Sequence, residues 1–263
     1  VSYIINPWMQ GNVRGTSLPR AHDQWHSLHD AIAKNAKIEF APARPGFPDM
    51  PFTANAGLVL EDTFILSRFL YPERQGEEVH FERWFYDQGF AVLKLPSTIP
   101  FEGAGDALFD RERSVLWMGY GHRSSRDAER YISRWLSMEV LPLKLADSRF
   151  YHLDTCFCPL EGGYLMYYPA GFDEDSQRLI AERVPESHRV AVEEEDALHF
   201  ACNAVNIGRT VILNKASADL RQRLSEIGFA LIETELGEFM KAGGSAKCLT
   251  LRLNESRVIP ISD

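Results

Sequence analysis

Five short turns built from small residues recur along this chain of 263 residues. They are Thr53-Ala54-Asn55-Ala56-Gly57, Glu102-Gly103-Ala104-Gly105-Asp106, His152-Leu153-Asp154, Cys202-Asn203-Ala204 and Gly243-Gly244-Ser245-Ala246-Lys247-Cys248. One polar residue from each (Asn55, Glu102, His152, Asn203, Cys248) gives spacings of 47, 50, 51 and 45. A near-constant period of this size marks repeated supersecondary units. Gly and Ala beside each polar residue suit places where backbones crowd or φ turns positive. The spacing therefore predicts α/β units arranged around an axis, with their polar residues converging near it.

The segments between the turns read alike. Hairpins are expected at Leu58–Leu60 with Thr63–Leu66, Leu108-Phe109 with Val115–Met118, Tyr151–Leu160 with Tyr164–Tyr168, and Asn203–Ile207 with Thr210–Leu213. Each is followed by a helix and then a strand: Glu77–Gln88 and Ala91–Leu95, Arg126–Met138 and Val140–Leu145, Ser176–Arg183 and Arg189–Val192, Ala218–Ile227 and Ala230–Glu233. A strand over Cys248–Leu253 ends the series. A helix over about Pro19–Ala36 precedes it, with His22, His26 and His29 at helical spacing. The general-base Glu of an HExxH site is absent there, so this reads as a wet polar face rather than a metal site. Cys156 and Cys158, two residues apart, suit one face of a strand better than a zinc knuckle. No metal is expected.

Composition narrows the class. Apolar residues at 45% and charged residues at 25% are ordinary for a globular chain and exclude disorder. A net charge of −9 argues against a nucleic-acid or anionic-membrane surface. No apolar run approaches the roughly 18 residues that a membrane span needs. Four cysteines are too few for a disulfide framework, and no leader is evident at Val1-Ser2-Tyr3, so a cytoplasmic location is expected. No linker is visible, and residues 1–263 read as a single catalytic domain. The Glu193-Glu194-Glu195-Asp196 run reads as a solvated helix start or loop.

Cys248, His152 and Glu102 place a nucleophile, an acid/base and a carboxylate on three different units. A deprotonated Cys is a strong nucleophile, and a nearby His can protonate a leaving group and then activate water. Asp154, two residues from His152, adds a second carboxylate on the same face of an extended segment. Two carboxylates around one thiol suit a planar cation such as guanidinium, which carboxylates bind bidentately. Asn203 reads mainly as a turn residue lining the pocket. Lys247 either supports the thiolate or points to the opposite face.

These motifs, His152-Leu153-Asp154-Thr155, Phe101-Glu102-Gly103-Ala104-Gly105-Asp106 and Gly243 to Cys248, resemble the guanidino-group-modifying enzymes. That superfamily includes arginine deiminases, dimethylarginine dimethylaminohydrolases, amidinotransferases and arginine dihydrolases. The resemblance covers nearly the whole chain. It implies a five-bladed α/β propeller, the pentein fold, built from ββαβ-type repeats around a pseudo-five-fold axis. It also implies roles. Cys248 attacks the guanidinium carbon and forms a thiouronium intermediate, Glu102 and Asp154 hold the nitrogens, and His152 handles the protons. No cofactor is implied, and the partner is a small guanidine, with homo-oligomerisation left open.

Asn55 discriminates within the superfamily. Deiminases tend to carry Asp at this turn. Asn there, together with Asn6-Pro7-Trp8-Met9, is similar to arginine dihydrolases, which convert arginine to ornithine, carbon dioxide and two ammonia. Asn donates and accepts hydrogen bonds, so it suits both a cationic guanidinium and a neutral ureido group. Arg74 matches the position expected to pair with the substrate α-carboxylate, and Asn6 is a further binding candidate. The rivals are single hydrolysis to citrulline by a deiminase or dimethylarginine-type hydrolase, and amidinotransfer. A binding module that kept the fold and lost its chemistry is the reading from another class; the intact Cys248, His152 and Glu102 argue against it.

Overall fold

The computed structural model describes residues 1–258. Four units of one design follow each other. β1 (Gly57–Leu60), β2 (Thr63–Leu66) and β3 (Ala91–Lys94) form the first sheet; β4 (Ala107–Phe109), β5 (Val115–Tyr120) and β6 (Glu139–Lys144) the second. β7 (Phe157–Leu160), β8 (Tyr164–Tyr167) and β9 (Arg189–Ala191) form the third; β10 (Val205–Ile207), β11 (Thr210–Leu213) and β12 (Ala230–Glu233) the fourth. In each, the first two strands make an antiparallel hairpin and the third lies parallel to the second. A parallel neighbour cannot be reached by a tight turn. The crossover runs through α2 (Pro72–Gln75) and α3 (Glu78–Asp87), then α4 (Ala128–Leu136), α5 (Glu174–Arg183) with the short α6 (Glu194–Leu198) after its strand, and α7 (Ala218–Glu226).

The crossover helices bury one narrow stripe each. Phe81 and Phe85 of α3, Ala128, Ile132 and Leu136 of α4, Ser176 and Ile180 of α5, and Leu220 and Leu224 of α7 are buried at four-residue intervals. That spacing returns to the same helix face. Asp173 and Ser217 cap α5 and α7 by accepting from Ser176 N and Leu220 N. β1, β4 and β7 are buried along their whole length, whereas β3 and β12 expose both ends. β1, β4 and β7 are thus inner strands, and β10, half-buried along its length, holds the same place in its unit. Each starts just after a small-residue turn, which places those four turns at one end of the inner strands.

Among the described residues there are four three-stranded sheets. One expectation is corrected here. Cys248–Leu253 is not a strand: it alternates like one but has no neighbour to pair with. It makes no ladder: Leu249 N and Thr250 N turn back to Ser245 O and Lys247 O, and the distant backbone bond is a single one, from Ala54 N to Cys248 O. α1 (Leu18–Ala33) packs Leu28, Ala31 and Ile32 against Leu236, Ala246, Cys248 and Leu249, beside α8 (Gly237–Met240). The acidic run at 193–196 leads into α6, but Asp196 is buried and accepts from both Ser217 N and Ser217 Oγ. No helix among the described residues is long and apolar enough to cross a membrane.

Candidate active site

The five repeated polar residues are linked around the axis in chain order. Asn55 Nδ2 donates to Glu102 O at 3.4 Å, and Glu102 Oε2 lies 2.7 Å from His152 Nε2. Asn203 Nδ2 donates to Asp154 O at 2.9 Å, in the His152 turn, and to Cys248 Sγ at 3.1 Å. Ala54 N donates to Cys248 O at 3.1 Å and completes the circuit. Glycine makes the closeness tolerable. A Cβ on Gly105 would fall on Asn55 Nδ2, and one on Gly243, whose φ is +89°, would lie 2.5 Å from the Tyr151 hydroxyl.

A cavity of about 250 Å³ opens at this end, lined among others by Asn6, Asn55, Arg74, Arg123, His152 and Cys248. Glu102, Asp154 and Asn203 are fully buried and do not line it. Burial works against the Glu102 carboxylate, but Arg123 and His152 outweigh it and hold its pKa down to about 2. Arg123 Nη1 donates to Glu102 Oε2 at 3.1 Å and Nη2 to Ile5 O at 2.8 Å. Its guanidinium sits 4.6 Å from the ring centres of both Tyr71 and Tyr151. Burial, with Arg123 and Arg74 adding to it, drives the His152 pKa down to about 4 despite Glu102. An ionised carboxylate only accepts, so a neutral imidazole facing it donates its Nε2 proton to Glu102 and leaves Nδ1 unprotonated.

Cys248 stands differently. Asn203 Oδ1 accepts from Ser245 N and Cys248 N, both at 3.1 Å, and so shapes the turn that carries the thiol. Cys248 Sγ donates towards Asp154 Oδ2 and Oδ1 at 3.5 and 3.6 Å. Burial and the Asp154 charge push the thiol well above its ordinary value. Burial also lifts Asp154, to about 6, against the nearby Lys247 ammonium. Lys247 itself turns from the catalytic cavity and donates to Ala104 O at 3.3 Å.

Arg74 and Asn6 sit in the wall but are occupied. Arg74 makes a two-pronged pair with Glu77 at 3.1 and 2.8 Å and donates to Asp49 O and, at 2.9 Å, to Asn55 Oδ1. A guanidinium cannot accept, so this bond fixes which way the Asn55 amide faces. Asn6 Oδ1 accepts from Trp8 N and Met9 N, capping the turn Pro7–Met9, while Nδ2 donates to Tyr151 Oη and Ala242 O. Sequence reasoning missed Arg123, Tyr151 and Asp49. The repeat held a signal for the first: Arg74 follows Asn55 by 19 residues and Arg123 follows Glu102 by 21. Among the described residues no group of three or more His, Cys, Asp or Glu is placed to hold a metal.

A family profile described as N,N dimethylarginine dimethylhydrolase, eukaryotic, matches residues 16–254. The chain is 56% identical over 97% of its length to the bifunctional arginine dihydrolase/ornithine cyclodeaminase ArgZ of Synechocystis sp., and it spans 36% of that protein. It is 34% identical to the N(G),N(G)-dimethylarginine dimethylaminohydrolase of Mycobacterium tuberculosis, over 97% of this chain and 82% of the relative. Crystal structures of the N-terminal domain of ArgZ, one bound to substrate and one covalently bonded to a reaction intermediate, superpose with a TM-score of 0.97 at 55% identity. Each covers 98% of this chain and 95% of the domain.

Proposed function

Because the chain belongs to the N,N-dimethylarginine dimethylhydrolase family, we propose that it is a guanidine hydrolase whose reaction is the double hydrolysis of free L-arginine to ornithine, carbon dioxide and two ammonia. The likeness to ArgZ, an arginine dihydrolase, supports that choice. The observation that carries it is Asn55, an amide in the cavity wall whose oxygen is committed to Arg74 and whose Nδ2 makes only a long contact to Glu102 O.

The arrangement accounts for the chemistry as follows. The guanidinium enters beside Asp154 and Glu102, and its charge offsets what keeps Cys248 protonated. The thiol proton passes to His152, Sγ attacks the guanidinium carbon, and the imidazole returns the proton to the departing ammonia. The thiouronium that remains is attacked by water, which His152 deprotonates, and the thiol leaves. In the second round the carbon carries a neutral ureido group, whose oxygen needs a donor. Asn55 Nδ2 provides one where an Asp would offer only acceptors. Arg123 and Arg74, beside the cavity, make its mouth the place for the α-carboxylate. Asn6 and Asn203 hold Ala242 and Ser245 to Cys248 of the one segment that carries the thiol. Asp154 serves the substrate cation directly. No cofactor enters this scheme.

We place residues 1–258 in one catalytic unit whose segments 18–33 and 237–249 stand as a fifth, sheet-less sector of a pseudo-five-fold ring. The closed circuit of hydrogen bonds through the five turns supports that reading. A cytoplasmic setting fits four reduced cysteines, all free among the described residues.

The test is to incubate the protein with L-arginine and quantify ornithine, citrulline and ammonia together, with Cys248→Ala as control. Ornithine with two ammonia is the expected result, and Asn55→Asp should then release citrulline. Citrulline with one ammonia from the parent protein would make it a deiminase and remove the role given to Asn55.

A further inference from the structure

A second and larger cavity, about 660 Å³ including its open mouth, shares no lining residue with the catalytic one. Its walls come from the inner strands β1, β4, β7 and β10, through Val59, Leu108, Phe109, Phe157 and Val205. The wall is apolar, but its charged residues are lopsided: Arg111, Lys247 and Arg252 against Glu255. Glu255 is spent on Arg111, in a two-pronged pair at 2.7 and 3.0 Å, and only approaches Arg252, at 3.8 Å. Arg111 Nε is buried with no partner among the described residues. Arg252 donates to Asn206 O at 3.4 Å, and Lys247 to Ala104 O at 3.3 Å. A guanidinium has five N–H donors and an ammonium three, so among the described residues most of the donor capacity of Arg252 and Lys247 is unused.

We propose that this cavity binds a small carboxylate with an apolar body, its charge on Arg252 and Lys247 and its chain against the inner-strand wall, and that the bound anion slows the nucleophile. The connection is one peptide bond long. Cys248 lines the catalytic cavity and Lys247 lines this one. The Lys247 ammonium is one of the few influences that favour the ionised forms of Cys248 and Asp154. An anion paired with Lys247 withdraws that support without entering the catalytic cavity. The ligand class follows from the walls. A bare inorganic anion would leave the apolar surface unused, and a cation would meet the wrong charge.

The experiment uses hexanoate as probe and hexylamine as its cationic twin. Calorimetry should show hexanoate binding one to one, weakened about tenfold in Arg252→Gln and restored in Arg252→Lys, with hexylamine not binding. In parallel, saturating hexanoate should slow iodoacetamide labelling of Cys248 several-fold in the parent and leave the rate unchanged in Lys247→Met. Arginine turnover without hexanoate should be the same in parent and Arg252→Gln, since Arg252 lies outside the catalytic cavity. Hexanoate binding that ignores Arg252→Gln would place the probe in the catalytic cavity and overturn the proposal. Equal binding of hexylamine, or no binding by a folded parent protein, would overturn it as well. Neither readout depends on the arginine reaction, so failure here is distinguishable from failure of the proposed function.

Discussion

The two sides of the catalytic cavity are built on opposite principles. On the Glu102–His152 side every buried charge has its partner at rest: Arg123 and His152 on one carboxylate oxygen, Leu70 N at 3.3 Å on the other. On the Cys248–Asp154 side a buried carboxylate faces a thiol at 3.5 Å, and the nearest cation, Lys247, reaches away towards the other end of the axis. The first side is satisfied without a ligand. The second carries a desolvation cost that, in the proposed reaction, the guanidinium offsets. On that proposal the site holds its acid/base group rigidly and leaves its nucleophile to be completed by the ligand.

Substitutions on each side should separate the two. Cys248→Ala should lower arginine turnover at least about 10⁴-fold with little change in urea stability, since it removes the bond-forming atom and leaves the ion pairs alone. Asp154→Asn should cost roughly 10²- to 10³-fold in kcat/KM while raising stability at pH 8 by about 1–3 kcal/mol. The sign follows from its raised pKa: with a value of about 6 in the folded protein, Asp154 favours the fold below the ordinary carboxylate range and opposes it once pH passes 6. Arg123→Ala should do the reverse for stability, losing about 3–5 kcal/mol in urea titration, because it strands Glu102 as a buried unpaired charge. If both variants move stability the same way, the contrast fails.

Acid titration sharpens the same point. Glu102, held down to about 2, contributes stability that is present above the ordinary carboxylate range and lost as pH falls towards 2. The kcat/KM profile should instead fall below about 6, where Asp154 takes up a proton and stops holding the cation. Activity should thus vanish several pH units before the Glu102 contribution does, which parallel kinetics and circular dichroism would detect. The smallest effect expected is Gly105→Ala, about 1–3 kcal/mol by denaturation, from the clash with Asn55.

The repeat was the readable part. Asn55, Glu102, His152, Asn203 and Cys248 could be picked by period alone because each sits where a buried inner strand or its equivalent begins, and such turns admit few residue types. Asp154 followed from its place beside His152. The closing strand was misread because Cys248-Leu249-Thr250-Leu251-Arg252-Leu253 alternates as a strand does, while strand formation also needs a neighbour that local pattern cannot supply. Arg74 was placed in the site, but its partner Glu77 three residues on, buried with it, was not anticipated as a competitor for the guanidinium. Arg123 escaped because a basic residue after a hairpin ordinarily reads as solvent-facing, and only its contacts with Tyr71, Tyr151 and Glu102 distinguish it.

The circuit of turns is completed by the segments most distant in sequence. Asn6 bonds to Ala242 across 236 positions, and Ala54 to Cys248. Contacts of that separation form against the largest loss of chain entropy, so they are expected late in folding. The thiol rides on the segment that arrives last, whereas Glu102 and His152 belong to units joined by nearer neighbours. A partly folded chain can thus possess its acid/base pair and still be chemically silent, and reactivity appears only when the ring is shut. Catalytic competence in this architecture is a readout of topological completion.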